Sequence, residues 1–377
     1  MSIVAPADSR ASRPDVNCEA DVNDPLVDTI VAGKYRVLRK IGEGGMSFIY
    51  EVQHVKLLRS FALKGLLPQW AHNTEAAQRF EREAELLGSL RHPNVVDIAD
   101  WVYLADGTPC MVLEFLHGAT LQTRLQRGPL EFDAIARLAD HTCSALALAH
   151  RNGITHRDVK PENIFISIDD SGDDRVKLLD FGVSKLRGVG RLSGVYRMLG
   201  TPSYMSPEQA SGNNDAVGPS SDCWAMGAIL YEMATREVAF KGIDIQQTLM
   251  LILEARPPPI HNFRPDASPD FVDLVDRCLS HDPARRILTI EDLRFRLRNA
   301  LPPPGRTPLL QPKRPTPVAG TPVTGPPTPG VVGPRTLTGT TNPQQRAAPP
   351  VNTRRWVIVV IAIIFATLGN LAIAVWA

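Results

Sequence analysis

Asp158, Lys160 and Asn163 fall within the run His156-Arg157-Asp158-Val159-Lys160-Pro161-Glu162-Asn163, and Asp180 heads Asp180-Phe181-Gly182 a short way downstream. A carboxylate at Asp158 can take the proton of an attacking hydroxyl, and the ammonium of Lys160, two residues on, can steady the phosphate under attack. Asn163 and Asp180 bring oxygen donors of the kind that hard Mg²⁺ prefers. A loose phosphoryl-transfer transition state asks for alignment and charge neutralisation more than for covalent chemistry, and this set supplies both. A lone Asp in a loop is usually a cap or a turn residue. Four residues of these types in this order are not accounted for by turns.

Such groups need elements to hold them. Tyr35 to Val52 reads as an alternating strand, a glycine turn and a second strand. Within it Ile41, Gly42, Glu43, Gly44, Gly45, Met46, Ser47, Phe48 and Ile49 form a candidate phosphate-covering loop, where glycines permit close backbone approach and torsions that a Cβ would forbid. Phe61-Ala62-Leu63-Lys64 ends an apolar run on a charge, which is costly unless the charge meets a partner. The partner is expected on the helix from Glu75 to Leu90, where Phe80, Ala84, Leu87 and Leu90 make an apolar stripe with Glu83 beside it. Pro93 closes that helix. Met111 to Leu116 is an apolar strand leading into Gly118.

With Ser206-Pro207-Glu208 further on, the chain from Tyr35 to about Asn299 resembles the protein-kinase family, and within it the Hanks-type Ser/Thr kinases of bacteria. The resemblance implies an α+β, bilobal fold over residues 34–299, with a small β-rich lobe and a large, mainly helical one. It implies ATP and Mg²⁺ as cofactors, protein substrates bearing Ser or Thr hydroxyls, and catalytic roles for Asp158, Lys160, Lys64 and Glu83. By the same likeness Glu83 pairs with Lys64, which holds the α and β phosphates. Leu113 is the gatekeeper, the backbone of Glu114 and Leu116 bonds adenine, and Ile49 and Ala62 cover one face of the ring. Asn163 and Asp180 are the metal ligands. Arg157 marks control by phosphorylation, and the candidate acceptors are Ser184, Ser193, Tyr196, Thr201 and Ser203; Ser184 stands too close to Asp180 and Thr201 belongs to the substrate loop, which leaves Ser193 as the expected regulatory site. Asp222 braces the catalytic loop and Arg286 pairs with Glu208. Ser47 stands where the family's glycine-rich pattern has its third glycine, which implies a stiffer loop. The alternative is a membrane-tethered pseudokinase scaffold, and the presence of Lys64, Glu83, Asp158, Asn163 and Asp180 weighs against it.

The near-neutral net charge of +1 hides an acidic start and a basic tail, since Asp292 is the last acidic residue. Residues 1–33 are polar and acidic, and are expected to be a disordered arm. Residues 300–353 are rich in Pro and Thr and are expected to be a disordered, extended linker able to present docking motifs. Within 354–377, Trp356 to Trp376 is almost wholly apolar; at about 1.5 Å per residue it spans about 30 Å, the thickness of a bilayer core. Arg354 and Arg355 precede it, so a C-terminal transmembrane anchor with the catalytic region in the cytoplasm is expected. The bilayer is then a partner, and two-dimensional anchoring favours dimerisation and autophosphorylation in trans. No nucleic-acid partner is expected. The opening residues lack the apolar stretch of a secretory signal. Cys18, Cys110, Cys143, Cys223 and Cys278 are dispersed without metal-ligand spacing and read as reduced thiols.

Overall fold

The computed structural model describes residues 24–168, 174–181, 202–254, 257–282 and 284–301. Residues 302–353 of the expected linker, the anchor segment, Cys18, Ser193 and Thr201 lie outside the described residues, whereas Ala300 ends the last helix and Leu301 is buried in the core, which corrects the start of the linker to 302. Among the described residues no helix is long and apolar enough to cross a membrane.

The small lobe opens with β1 (Ile30–Val31), β2 (Tyr35–Glu43), β3 (Ser47–His54) and β4 (Ser60–Leu66). A short α1 (Pro68–Ala71) and the longer α2 (Thr74–Ser89) follow, then β5 (Ile98–Tyr103) and β6 (Pro109–Glu114). The strands form one antiparallel sheet in the order β1-β2-β3-β4-β6-β5. Period-two alternation sorts its faces: Tyr35, Val37, Phe48, Tyr50, Val52, Phe61 and Leu63 build one core cluster on the outer face. The inner face is left for α2 and the cleft. Asn73 caps α2 by accepting from Ala76 N at 3.0 Å, and Phe80, Ala84 and Leu87 turn inward to join the main core.

The expectation of disorder across 1–33 needs correction at its end. Residues 24–33 form a turn and β1, because Tyr50 donates to Asp24 at 2.5 Å and Val31 is buried against the outer cluster. Leu26 and Val27 pack there too. These few apolar side chains recover enough buried surface to order a segment whose overall composition is polar.

The large lobe contains β7 (Gly118–Thr120), α3 (Leu121–Leu125), α4 (Phe132–Arg151), β8 (Ile164–Ile168) and β9 (Asp174–Leu178). Beyond them come α5 (Pro207–Ala210), α6 (Pro219–Thr235), α7 (Ile245–Glu254), α8 (Pro269–Cys278) and α9 (Ile290–Ala300). β7, β8 and β9 form a small antiparallel sheet. From Ser221 to Thr235 every residue of α6 is buried, so this helix is the lobe's axis and is apolar nearly all round. Gly227 lets α8 close on it, since a Cβ there would stand 2.4 Å from Cys278 Cβ. Cys110, Cys143, Cys223 and Cys278 are free and buried.

Candidate active site

The sheet register explains how the small lobe builds its half of the cleft. Ala62 and Lys64 are two residues apart on β4 and share a face; Ile49 lies opposite Lys64 on β3, and Leu113 opposite Ala62 on β6. One face therefore gathers Ile49, Ala62, Lys64 and Leu113 beneath the glycine turn. Lys64 is only 5% exposed, and Glu83, 7% exposed, receives a hydrogen bond from its Nζ at 2.9 Å. The same Nζ donates to Asp180 Oδ1 at 2.6 Å. Burial works against the ammonium, but Asp180 and Glu83 together outweigh it and hold the Lys64 pKa above its ordinary value. Burial pushes the Glu83 carboxyl up to about 7, against the pull of Lys64.

The turn between β2 and β3 is pinned from the side. Gly44 N donates to Ser47 O at 2.7 Å, Leu67 N to Met46 O at 2.9 Å, and the Trp70 indole to Gly45 O at 3.1 Å. Neither Gly42 nor Gly44 adopts a left-handed φ, and a Cβ at either would meet only ordinary contacts. The torsional argument for these two glycines is therefore corrected. What remains is the room they leave for a ligand to approach the backbone.

At the end of β6, where the chain passes from the small lobe to the large one, Glu114 N already donates to Asp97 O at 2.9 Å, so of its backbone groups only the carbonyl is left for the expected adenine contact. Its side chain accepts from Lys177 at 2.5 Å and from Asp97 N at 2.8 Å, tying β6 to β9. Leu116 is partly buried against the main core.

The large-lobe half is a loop held by buried acceptors. Asp222, on α6, accepts from His156 N and Arg157 N at 2.9 Å each and from His150 Nε2 at 2.7 Å. Gln209 Nε2 donates to Arg157 O at 2.8 Å. These bonds hold Arg157 at φ +65, a torsion disfavoured for a side chain with a Cβ. Among the described residues the Arg157 guanidinium makes no ion pair. His156 is fully buried and burial depresses its pKa, so the ring is neutral: Nε2 donates to Leu179 O at 3.1 Å and Nδ1 accepts from Asp158 N at 3.3 Å. Phe181 packs on it with ring centroids 4.6 Å apart.

Asp158 Oδ2 lies 3.0 Å from Lys160 Nζ, and Asn163 Nδ2 donates to Asp158 O at 2.8 Å. That bond commits the amide nitrogen of Asn163 and leaves its oxygen as the end for a cation. Asp180 gives Oδ1 to Lys64 and keeps a side chain 43% exposed. Asn163 and Asp180 would each offer a hard divalent ion an oxygen donor of the kind it prefers.

Downstream, Ser206 caps α5, and Glu208 is held, largely buried, by two donors. Ser221 Oγ donates to Glu208 Oε1 at 2.7 Å and Arg286 Nη1 to Oε2 at 3.0 Å. Burial would raise the Glu208 pKa, but these donors outweigh it and hold the carboxyl below its usual value. Arg286 also lies over the Trp224 ring at 5.2 Å.

Sequence reasoning missed the direct Lys64–Asp180 bond, the pinning of the glycine turn by Trp70, and the Gln209 bond to Arg157. Only Gln209 had a visible signal: it stands at the third helical position after Ser206, where a capping box places a Gln or Glu.

Two lobes meeting at a cleft, with a Lys–Glu pair above and an Asp–Lys–Asn loop below, define the bilobal protein-kinase fold. A family model described as "Protein kinase domain" matches residues 35–294. The chain belongs to the protein kinase family, in its bacterial Hanks-type Ser/Thr branch. It is 35% identical over 282 residues to the serine/threonine-protein kinase pkn3 of Myxococcus xanthus, covering 73% of this chain and 51% of that protein. It is 33% identical over 276 residues to the serine/threonine-protein kinase PrkC of Bacillus subtilis, covering 73% and 42%. The crystal structure of the Mycobacterium tuberculosis PknI kinase domain aligns with a TM-score of 0.56 at 26% identity, over 72% of this chain and 98% of that one. The chain thus spans about half or less of the length of these two curated relatives.

Proposed function

We propose that the chain is an ATP- and Mg²⁺-dependent serine/threonine protein kinase, held at a membrane by residues 354–377. The observation that carries the catalytic part is the convergence of Lys64, Glu83 and Asp180 at hydrogen-bond distance across the cleft from Asp158 and Lys160. In this reading Lys64, oriented by Glu83, holds the α and β phosphates beneath the turn from Ile41 to Ile49. Adenine sits between Ile49, Ala62 and Leu113 and meets the hinge at Glu114 and Leu116. The substrate hydroxyl attacks the γ-phosphorus, the bond to the β–γ bridging oxygen breaks, ADP departs, and Asp158 receives the hydroxyl proton. Lys160 neutralises charge on the transferring group. Asn163 and Asp180 are the residues that would hold Mg²⁺, which supplies charge neutralisation of the phosphates when bound.

Regulation follows from Arg157. A phosphate at Ser193 would give its guanidinium a bidentate partner. The apolar run from Trp356 to Trp376, with Arg354 and Arg355 before it, supports a cytoplasmic catalytic domain on a membrane anchor, where copies meet and phosphorylate one another in trans.

The test is incubation of the full chain with γ-labelled ATP and Mg²⁺, followed by acid hydrolysis. Labelled phosphoserine or phosphothreonine is expected. ATP binding without any transfer would replace this reading by a scaffold that binds nucleotide.

A further inference from the structure

The turn joining β3 to β4 carries side chains that the cleft does not use. Lys56, Leu57, Leu58 and Arg59 are all exposed, Leu57 by 69% and Leu58 by 70%. Single exposed leucines are ordinary; two adjacent ones at a rigid hairpin tip need a reason. The tip is firmly held: His54 N donates to Arg59 O and Leu58 N to His54 O, both at 2.9 Å. The imidazole Nδ1 of His54 faces Lys56 N and Leu57 N at 3.2 Å each, and Gln53 Nε2 donates to Leu58 O at 3.3 Å. Leu58 takes φ +54, a torsion that Gly or Asn adopts at less cost. Turn chemistry alone would not select leucine at this position.

The flanking charges are cationic. Lys56 and Arg59 bracket the leucines, and Arg36 lies directly across from Gln53 on β2. None of these three makes an ion pair among the described residues, although the Arg59 guanidinium lies over the Phe61 ring at 5.5 Å, while nearby Lys34 is already matched by Asp100 at 3.0 Å. An apolar tip with a collar of cations that have no carboxylate partner among the described residues complements an anionic lipid surface: leucines enter the headgroup–acyl boundary and cations stay among the phosphates.

We propose that this turn is a membrane wedge, inserting Leu57 and Leu58 into an anionic bilayer and fixing the orientation of the kinase domain on it. The proposal rests on the anchoring of residues 354–377, which brings the turn within reach of the surface and lets a weak second contact hold.

The experiment uses the full chain carrying Cys18→Ser and Leu57→Cys. The four described cysteines are buried, so an environment-sensitive fluorophore attaches at position 57. The protein is reconstituted into vesicles of phosphatidylcholine, with or without phosphatidylglycerol, and vesicle attachment is scored by flotation. Blue-shifted emission and quenching by nitroxide-labelled lipid are expected with phosphatidylglycerol, roughly tenfold weaker without it. Lys56→Glu with Arg59→Glu should abolish both while leaving phosphate transfer in detergent unchanged. Flotation with a fluorophore that stays in water overturns the wedge alone. Loss of flotation from both vesicle types overturns the anchor and the wedge together. A shift that ignores lipid charge and grows with protein density marks contact between copies, and also overturns the wedge.

Discussion

Asp222→Asn tests the link between the buried scaffold and the catalytic loop. The aspartate is 1% exposed, and its two oxygens receive three donors: His156 N, Arg157 N and His150 Nε2. A carboxamide of the same shape keeps one acceptor and turns an NH₂ toward the rest. If the oxygen stays with His156 and His150, Arg157 N faces a donor and loses its bond. A buried donor left unsatisfied costs about 1–3 kcal/mol, and the surviving bonds lose their charge assistance, so the total should be roughly 2–4 kcal/mol. In a domain of this size that lowers the thermal midpoint by about 5–10 °C. Arg157, at φ +65, then keeps only the Gln209 bond to its carbonyl to hold its torsion. The turnover number should therefore fall while the KM for ATP changes little, because Lys64 and Glu83 belong to the other lobe. Thermal unfolding and steady-state transfer of the purified variant measure both. An unshifted midpoint together with wild-type turnover would refute the brace.

Three further outcomes are expected. The fold raises the Glu83 carboxyl from 4.5 to about 7, so its contribution to stability is present below pH 4.5 and lost as pH rises through 7. Denaturation of wild type and Glu83→Gln at pH 5 and pH 8 should show wild type losing more on the way up, and equal pH slopes would contradict this. Arg286→Ala leaves the largely buried Glu208 carboxylate with Ser221 as its remaining side-chain donor and should cost about 2–4 kcal/mol in denaturant unfolding; a loss typical of an exposed pair would show the cluster to be dispensable. Gly118 has φ +153, and a Cβ there would stand 1.9 Å from Ile166 O, whereas Gly107, at φ +85, has nothing within 4 Å. Gly118→Ala should therefore cut soluble yield and thermal midpoint far more than Gly107→Ala, and equal effects would place β7 wrongly on β8.

The elements around the cleft were legible in the sequence because their signals are local. Lys64 ends an apolar run, Glu83 borders the stripe of Phe80, Ala84 and Leu87, and alternation from Tyr35 to Val52 marks a hairpin. The likeness to kinases added the partners of Asp222 and Arg286, which are distant in sequence and carry no local pattern. Missing from that reading are contacts set by tertiary packing. The Lys64–Asp180 bond depends on how the lobes meet. The Trp70 bond to Gly45 depends on α1 folding back over the turn. The order of residues 24–33 comes from a handful of apolar contacts and one Tyr50–Asp24 bond, too few to shift a composition dominated by polar residues. Positive φ at Arg157 and Asp180 was likewise invisible, since neither residue type announces it.

The most direct test of the central claim is single-turnover transfer from ATP to a protein acceptor by Asp158→Asn, with ATP binding measured on the same preparation. Asn163 and Lys160 remain in place beside the new amide, so folding and nucleotide affinity should change little while the transfer rate drops by about 10²–10⁴, the contribution of a positioned general base. Transfer at the wild-type rate by a folded, ATP-binding Asp158→Asn protein would contradict the assignment of Asp158 and, with it, the account of the cleft.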